Sequence, residues 1–207
     1  RHGEKVFIMR RLLLILILTF SFQSWTKADD IRDFELEEIS IGDSLLIHLK
    51  RFNIDKDSLK KNRFYYSGSK KFYGTRIVIT AKNAQYDNIG FLLKEKDNKY
   101  IIYILTGRKT FSNDLAGCTN DKEKIVNDFI SLLKNTERVD YTYSYPRDDG
   151  KSISYITDFN FQDGSAIRVY CTNWSSETEK KMKWKDSLSI SISSAEGLYW
   201  LNNESGK

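Results

Sequence analysis

Apolar and polar residues alternate along much of the chain with the two-residue period of half-buried strands. The alternation predicts three consecutive strands over 71–80, 86–94 and 99–107, and three more over 138–145, 152–161 and 166–173. Polar turns separate the strands within each set, so each set is predicted to form an antiparallel meander. Shorter alternating segments at 34–39 and 186–193 predict two further strands.

Helical periodicity precedes each meander. Helices are predicted over 44–52 and 55–61 before the first meander and over 121–134 before the second. Thr119 or Asn120 can cap the last of these helices. Its apolar face is predicted to consist of Ile125, Phe129, Leu132 and Leu133. A short polar helix opening at Ser175 and Ser176, and a helical turn over 195–201, complete the predicted elements.

This order of elements predicts an α+β fold. Its antiparallel sheet is expected in two meanders, each preceded by helix, with the helices packed on one face. We expect an N-terminal half at 29–110 and a C-terminal half at 111–207. No glycine- or proline-rich linker separates the halves, so they are predicted to pack together.

The first 28 residues have the pattern of a leader and signal peptide. Arg10 and Arg11 precede a short apolar segment at 12–22, and Ala28 is a small residue just before an acidic start. The apolar segment is shorter than the roughly 20 residues of a membrane-spanning helix. We therefore predict cleavage near Ala28, a periplasmic or secreted location, and membrane contact only through the signal peptide. A single membrane anchor is the alternative.

The two cysteines, Cys118 and Cys171, are predicted to form one disulfide, because an exported protein with two cysteines has one possible pairing. Two buried thiols are the alternative. Removing the leader also changes the charge, since it leaves 28 basic and 27 acidic residues where the whole chain has 33 and 28. The net charge of +5 falls to +1, which removes the whole-protein argument for specific nucleic-acid binding.

Local charge is more informative than the total. Residues 29–49 carry a net charge of −6, and residues 50–82 carry +8 among several aromatic residues. Basic residues between aromatics can bind an anionic surface by charge and stacking. The candidate surface comprises Lys60, Lys61, Arg63, Tyr65, Tyr66, Lys70, Lys71 and Tyr73. The alternatives are pairing with the acidic N-terminal segment, or two solvated faces. Trp174, Trp184 and Trp200 are expected to fill the core, although exposed tryptophans can anchor a partner.

Candidate chemistry is sparse. Gly42-Asp43-Ser44-Leu45 spells the motif of the GDSL esterases, but the only histidine after the leader, His48, follows Ser44 by four residues. That spacing lacks the strained turn that exposes a nucleophilic serine, so we interpret the motif as a helix start capped by Ser44 or Asp43. Clustered Cys and His ligands for zinc are missing, as are phosphate-binding and dinucleotide-binding motifs, so no cofactor is predicted. The carboxylate pairs at Glu37-Glu38 and Asp148-Asp149 lack the apolar surroundings that would shift the pKa of one carboxyl so that it could serve as an acid. A hydrolase that uses carboxylates is kept as an alternative, because such sites leave weak traces in a sequence.

Three segments resemble a family of small exported proteins from marine alphaproteobacteria. They are 28–35 continuing into 41–46, the Tyr100-Ile101-Ile102-Tyr103 segment, and Cys118 with Cys171-Thr172-Asn173-Trp174-Ser175. The resemblance implies a periplasmic location and a cysteine pair, and it implies no activity. The order of helices and meanders is similar, more weakly, to outer-membrane assembly lipoproteins and β-lactamase inhibitor proteins, which are interaction modules.

Together these patterns predict a periplasmic binding or interaction protein without enzymatic activity, whose partner is an unknown envelope protein or an anionic surface. An exported hydrolase that uses carboxylates is one alternative. A binder of a small ligand between sheet and helices is the other.

Overall fold

The computed structural model describes residues 30–79 and 84–206, so the predicted leader lies outside the described residues. Nine strands are present in the described ranges: β1 (Glu35–Leu36), β2 (Ile39–Ser40), β3 (Phe72–Val78), β4 (Asn88–Lys94), β5 (Ile102–Thr110), β6 (Glu137–Ser144), β7 (Ile153–Asn160), β8 (Ala166–Asn173) and β9 (Ser187–Ser193). The helices are α1 (Leu45–His48), α2 (Lys56–Lys61), α3 (Leu115–Leu132), α4 (Ser176–Met182) and α5 (Ala195–Asn203). Short 3₁₀ turns lie at Ile31–Asp33 and Pro146–Asp148.

The α+β class and the antiparallel meanders are confirmed. Seven strands form one sheet in the order β3-β4-β5-β9-β8-β7-β6, and every neighbouring pair is antiparallel. The last strand, β9, lies between β5 of the first meander and β8 of the second. Strands from both predicted halves therefore belong to the same sheet.

The larger core lies on one face of this sheet. Helices α1, α2 and α3 contribute to it, with Leu45, Leu59 and Val126 almost fully buried. The predicted disulfide is confirmed, because Cys118 on α3 is bonded to Cys171 on β8. Among the described residues, no helix is long and apolar enough to cross a bilayer.

A smaller core lies on the opposite face, beneath α5. Trp200 of α5 is fully buried there against Phe72, whose ring centroid is 5.2 Å away, and it also contacts Tyr66. The expectation of a core role is thus confirmed for Trp200. The helices accordingly occupy both faces, although α5 covers only one corner of the second.

Most predicted elements differ from those of the structure by a few residues at their ends, and two differ more. The strand predicted over 34–39 is a hairpin, because Glu37 and Glu38 both have positive φ angles and reverse the chain between β1 and β2. The helix predicted over 121–134 begins at Leu115, where Asp114 rather than Thr119 or Asn120 caps it by accepting from the Gly117 amide. Its most buried residues are Cys118, Lys122 and Val126, and Leu132 is 45% exposed.

Candidate interaction surface

Most of the predicted basic-aromatic residues lie around the β3 edge of the sheet, whereas Lys60 and Lys61 lie on α2, and several of the set bind acidic groups of the fold itself. The Lys71 ammonium lies 2.9 Å from Glu196, and Lys60 lies 3.2 Å from Asp57. Hydrogen bonding to Lys71 lowers the pKa of Glu196. Lys61 and Lys70 are exposed. Internal partners thus neutralise part of the positive charge that the sequence concentrates here.

The aromatic members of the same set are also engaged. Tyr73 is 1% exposed, and burial raises its pKa to about 12, so it contributes to the core and not to an outer surface. The Arg63 guanidinium lies 4.0 Å from the centroid of the Tyr73 ring and 3.3 Å from Glu95. The Tyr65 hydroxyl donates to the same Glu95, and Tyr66 packs on Trp200.

This region covers one edge of the sheet. Phe64 and Gly74 exchange backbone hydrogen bonds of 2.9 Å, so the segment before β3 occupies the outer side of that edge strand. The Gly68 amide donates to the Ser205 carbonyl and the Ser69 amide to the Glu204 carbonyl, which ties the C-terminal tail to the same region. A binding role for the basic-aromatic residues stays a prediction.

The GDSL residues have structural contacts. The Ser44 hydroxyl donates to the Lys99 carbonyl at 2.5 Å and accepts from the Leu46 amide, so Ser44 caps α1 as interpreted from the sequence. The His48 ring nitrogen lies 3.0 Å from an Asp43 carboxylate oxygen. The serine hydroxyl therefore donates to a main-chain carbonyl and not to His48.

The carboxylate pairs noted in the sequence hold loops together. Asp148 accepts hydrogen bonds from the hydroxyls of Ser152, Ser175 and Thr178, which hold its pKa below its usual range. Glu37 accepts from the Gln85 amide, and both Glu37 and Glu38 lie near Arg51. Within the described ranges, no group of His, Cys, Asp and Glu could hold a metal ion.

A different carboxylate is buried near two tryptophans, and the sequence analysis missed it. Asp186 is 4% exposed and accepts from the Trp174 amide at 2.7 Å. Burial, with the nearby Glu179 charge, raises its pKa. Only the apolar character of the neighbouring strand could have indicated its burial. Since its oxygen fixes the main chain at Trp174, we assign it a structural role.

In the part of the chain that the structure describes, no helix covers the sheet face opposite α3 along two rows of cross-strand neighbours, and we term these two rows the open face. The first row is Arg76, Gly90, Thr106, Ser191, Arg168, Asp158 and Val139. The second row is Val78, Asn88, Arg108, Ser189, Tyr170, Ile156 and Tyr141. Each row crosses all seven strands, so the face is assembled from residues far apart in the chain.

The central strands of the open face carry small side chains, and the strands on either side carry larger ones. Thr106 and Ser191 hydroxyls are 3.0 Å apart, and Ser189 is fully buried beneath its neighbours. Apolar side chains are exposed at the margins, where Val78 is 68% and Tyr141 38% exposed. Small residues flanked by exposed aromatic and aliphatic groups leave room for side chains of another molecule.

The charged residues of the open face are one carboxylate and three arginines. Arg168 forms two hydrogen bonds of 2.7 and 2.8 Å to Asp158, which also accepts from the Tyr141 hydroxyl. Arg108 reaches Ser189 at 3.4 Å, and within the described residues neither Arg76 nor Arg108 has an acidic partner. Lysines outnumber arginines 22 to 11 in the chain, yet every cation in the two rows is an arginine.

An aromatic cluster continues the open face beyond Tyr141. Successive ring centroids of Tyr143, Tyr145, Trp174 and Trp184 are 4.9, 4.7 and 4.7 Å apart. Tyr143 is 45% exposed, while the two tryptophans are half-buried. The expectation that the tryptophans fill the core therefore holds fully only for Trp200.

Comparison of the chain with protein-family models, curated proteins and solved structures finds no match in any of the three. Its function is accordingly argued from its own residues.

Proposed function

We propose that the protein is an exported, periplasmic interaction module that binds an envelope protein through its open face. The observation that carries the proposal is the composition of that face, where all three cations are arginines in a lysine-rich chain. Arginine and tyrosine are enriched among the residues that dominate binding energy at protein interfaces, and lysine is depleted there.

The charge of the face indicates the kind of partner. Arg168 is neutralised by Asp158, whereas Arg76 and Arg108 have no acidic partner among the described residues. A guanidinium binds a carboxylate with two parallel hydrogen bonds and stacks on planar groups. We expect a partner that presents carboxylates next to apolar side chains, which can contact Val78 and Tyr141.

The disulfide supports the proposed location. Disulfides persist in oxidising compartments such as the periplasm. Cys118 and Cys171 form a disulfide, and both residues are almost fully buried. The predicted signal peptide at residues 1–28 supplies the route of export.

Site-specific photo-crosslinking tests the proposal. A photoreactive phenylalanine analogue replaces Val78 on the open face or, as a matched control, Ile47 on α1; these side chains are 68% and 69% exposed. In cells that produce the protein natively, we expect one adduct of defined mass at position 78 and none of that mass at position 47. Equal adducts at both positions, or none at position 78, would contradict a specific open face.

A charge reversal separates the open face from the basic-aromatic surface. Arg108→Glu should reduce the position-78 adduct at least about tenfold, because it places a carboxylate against the partner's carboxylates. Lys124→Glu, on the exposed side of α3, should leave the adduct unchanged. Loss of the adduct on replacing Lys60, Lys61, Lys70 and Lys71 with glutamine, but not with Arg108→Glu, would assign binding to the basic-aromatic surface instead.

A further inference from the structure

The two edge strands of the seven-stranded sheet, β3 and β6, differ in what covers their outer sides. At one edge, the backbone of Phe64 pairs with Gly74 and covers part of β3. At the other edge, all eight residues of β6 are exposed, and within residues 30–79 and 84–206 each pairs with a residue of β7 on one side only. The register along β6 runs without a bulge, and the strand contains no proline. Such a straight, uncovered edge is a template for pairing with another strand.

We propose that β6 pairs with β6 of a second copy of this chain, in antiparallel orientation, so that two seven-stranded sheets become one. The proposal does not depend on the proposed function, because the open face can bind a partner whether or not the edges join. An extended segment of a different protein is the competing occupant, and the experiment below distinguishes it.

The charges of β6 allow the approach of an identical strand. The Arg138 guanidinium lies 2.8 Å from the Asp140 carboxylate on the same face of the strand, so these two charges neutralise each other within each copy. Glu137 is the only other charged residue of the strand. Two copies therefore meet without a block of like charges.

Alternation of side chains restricts the possible registers. Val139, Tyr141 and Tyr143 lie on the open face, and the residues between them lie on the face that carries α3. The two copies would be related by a two-fold axis perpendicular to the sheet, which keeps each face of the sheet on the same side in both copies. A residue of β6 therefore pairs only with a residue whose side chain lies on the same face. An axis at Asp140 places two aspartates directly opposite each other, which is unfavourable. An axis at Val139 leaves the C-terminal end of the strand unpaired.

An axis at Tyr141 pairs seven of the eight residues of β6. It pairs residues 138–144 with 144–138, so Tyr141 lies opposite Tyr141 and Val139 lies opposite Tyr143. Aromatic pairs and aromatic–β-branched pairs are among the favourable cross-strand neighbours. On the other face, Asp140 lies opposite the Thr142 hydroxyl, which can donate to its carboxylate. The sequence of β6 is thus complementary to itself in this register.

Disulfide trapping tests the register directly. Directly opposite residues of an antiparallel pair have Cα atoms about 4.5–5.5 Å apart, within the range of a disulfide. Tyr141→Cys should therefore give a covalent dimer under mild oxidation. Val139→Cys should give none, because its own counterpart would lie about 13 Å away, four residues along the strand. The native disulfide is buried and stays intact.

A second variant covers the case in which Tyr141→Cys fails to fold, since the Tyr141 hydroxyl donates to Asp158. The double variant Val139→Cys with Tyr143→Cys keeps Tyr141 and should form two symmetric crosslinks. Sedimentation of the unmodified chain should give a mass that rises towards that of a dimer with concentration. Tyr141→Lys should raise the dimer dissociation constant at least about tenfold by placing two lysines opposite each other, whereas Tyr199→Lys on α5 should not.

Three results would overturn the proposal. The first is a monomer at every concentration with no crosslinked dimer from either the Tyr141 variant or the double variant. The second is a dimer crosslinked through Val139→Cys alone, which would require another register. The third is capture of a different protein, in place of a second copy, by a photoreactive residue at position 142 in cells, because that position lies on the edge strand but faces away from the open face.

Discussion

The ring of Phe64 occupies the space in which a side chain at Gly74 would lie, because a Cβ built at Gly74 would overlap that ring. Phe64 thereby packs on the edge strand β3 while its backbone pairs with the same residue. The fit depends on the absence of a side chain at one position of the sheet.

Gly74→Ala should therefore destabilise the fold by about 1–3 kcal/mol, the usual cost of overpacking a close contact. Gly90→Ala is the matched control, since Gly90 lies on the neighbouring strand β4 opposite Arg76, and the nearest neighbour of an added Cβ would be 3.9 Å away, an ordinary contact. Urea unfolding of both variants measures the difference. Equal stability of the two variants would mean that Phe64 moves away without cost.

Reduction of the disulfide should lower stability by about 4 kcal/mol, because the bond closes a loop between residues 53 positions apart and restricts the unfolded chain. Urea unfolding with and without reductant measures this loss. The double variant Cys118→Ser with Cys171→Ser should match the reduced chain, and it should be insensitive to reductant. A mass of the native chain that fits two free thiols would contradict the bond.

Acid should weaken the loop around Asp148. Hydrogen bonds from Ser152, Ser175 and Thr178 lower the pKa of Asp148 in the folded state below its value of about 3.9 in an unfolded chain. The contribution of Asp148 to the free energy of unfolding is therefore fully present above about pH 5, and it is lost as the pH falls through about 4 and below. Asp148→Asn should destabilise the chain at neutral pH and reduce the acid dependence of its urea midpoint. Asp149→Asn, one residue further on, should behave like the unmodified chain.

Removal of Arg168 should cost about 2 kcal/mol, because it leaves the Asp158 carboxylate, 11% exposed, with the Tyr141 hydroxyl as its remaining donor among the described residues. The double variant Arg168→Met with Asp158→Leu should recover most of that loss, since no buried charge remains. A thermodynamic cycle built from the single and double variants gives the coupling between the two side chains. Additive losses would show that the pair acts independently.

The class of fold and the cysteine pairing could be predicted from the sequence, because alternation and residue type act locally. The turn at Glu37 and Glu38 could not, since glutamates seldom adopt positive φ angles and the segment alternates like a strand. The start of α3 was missed by six residues because Asp114, far from the apolar periodicity, is the residue that caps it.

The candidate surface was harder to predict than the fold. Charge counting along the chain identified the basic-aromatic segment, but it could not reveal that Glu95 and Glu196 lie against Arg63 and Lys71. The open face has no signature in any one segment. Arg76, Arg108 and Arg168 come from three strands, and only the insertion of β9 between β5 and β8 brings their rows together.

The position of β9 between β5 and β8 also sets when the sheet can be completed during synthesis of the chain. Residues 187–193 are synthesised after the six other strands of the sheet, and until they emerge, β5 and β8 each have a bare side where β9 will lie. The two meanders can form earlier by contacts local in sequence, but the sheet that joins them needs β9 to pair with β5, whose partner residues lie 77 to 89 positions earlier in the chain. A chain that stops before Ser187 would keep two unjoined meanders, with bare edges at β5 and β8 in place of one continuous sheet.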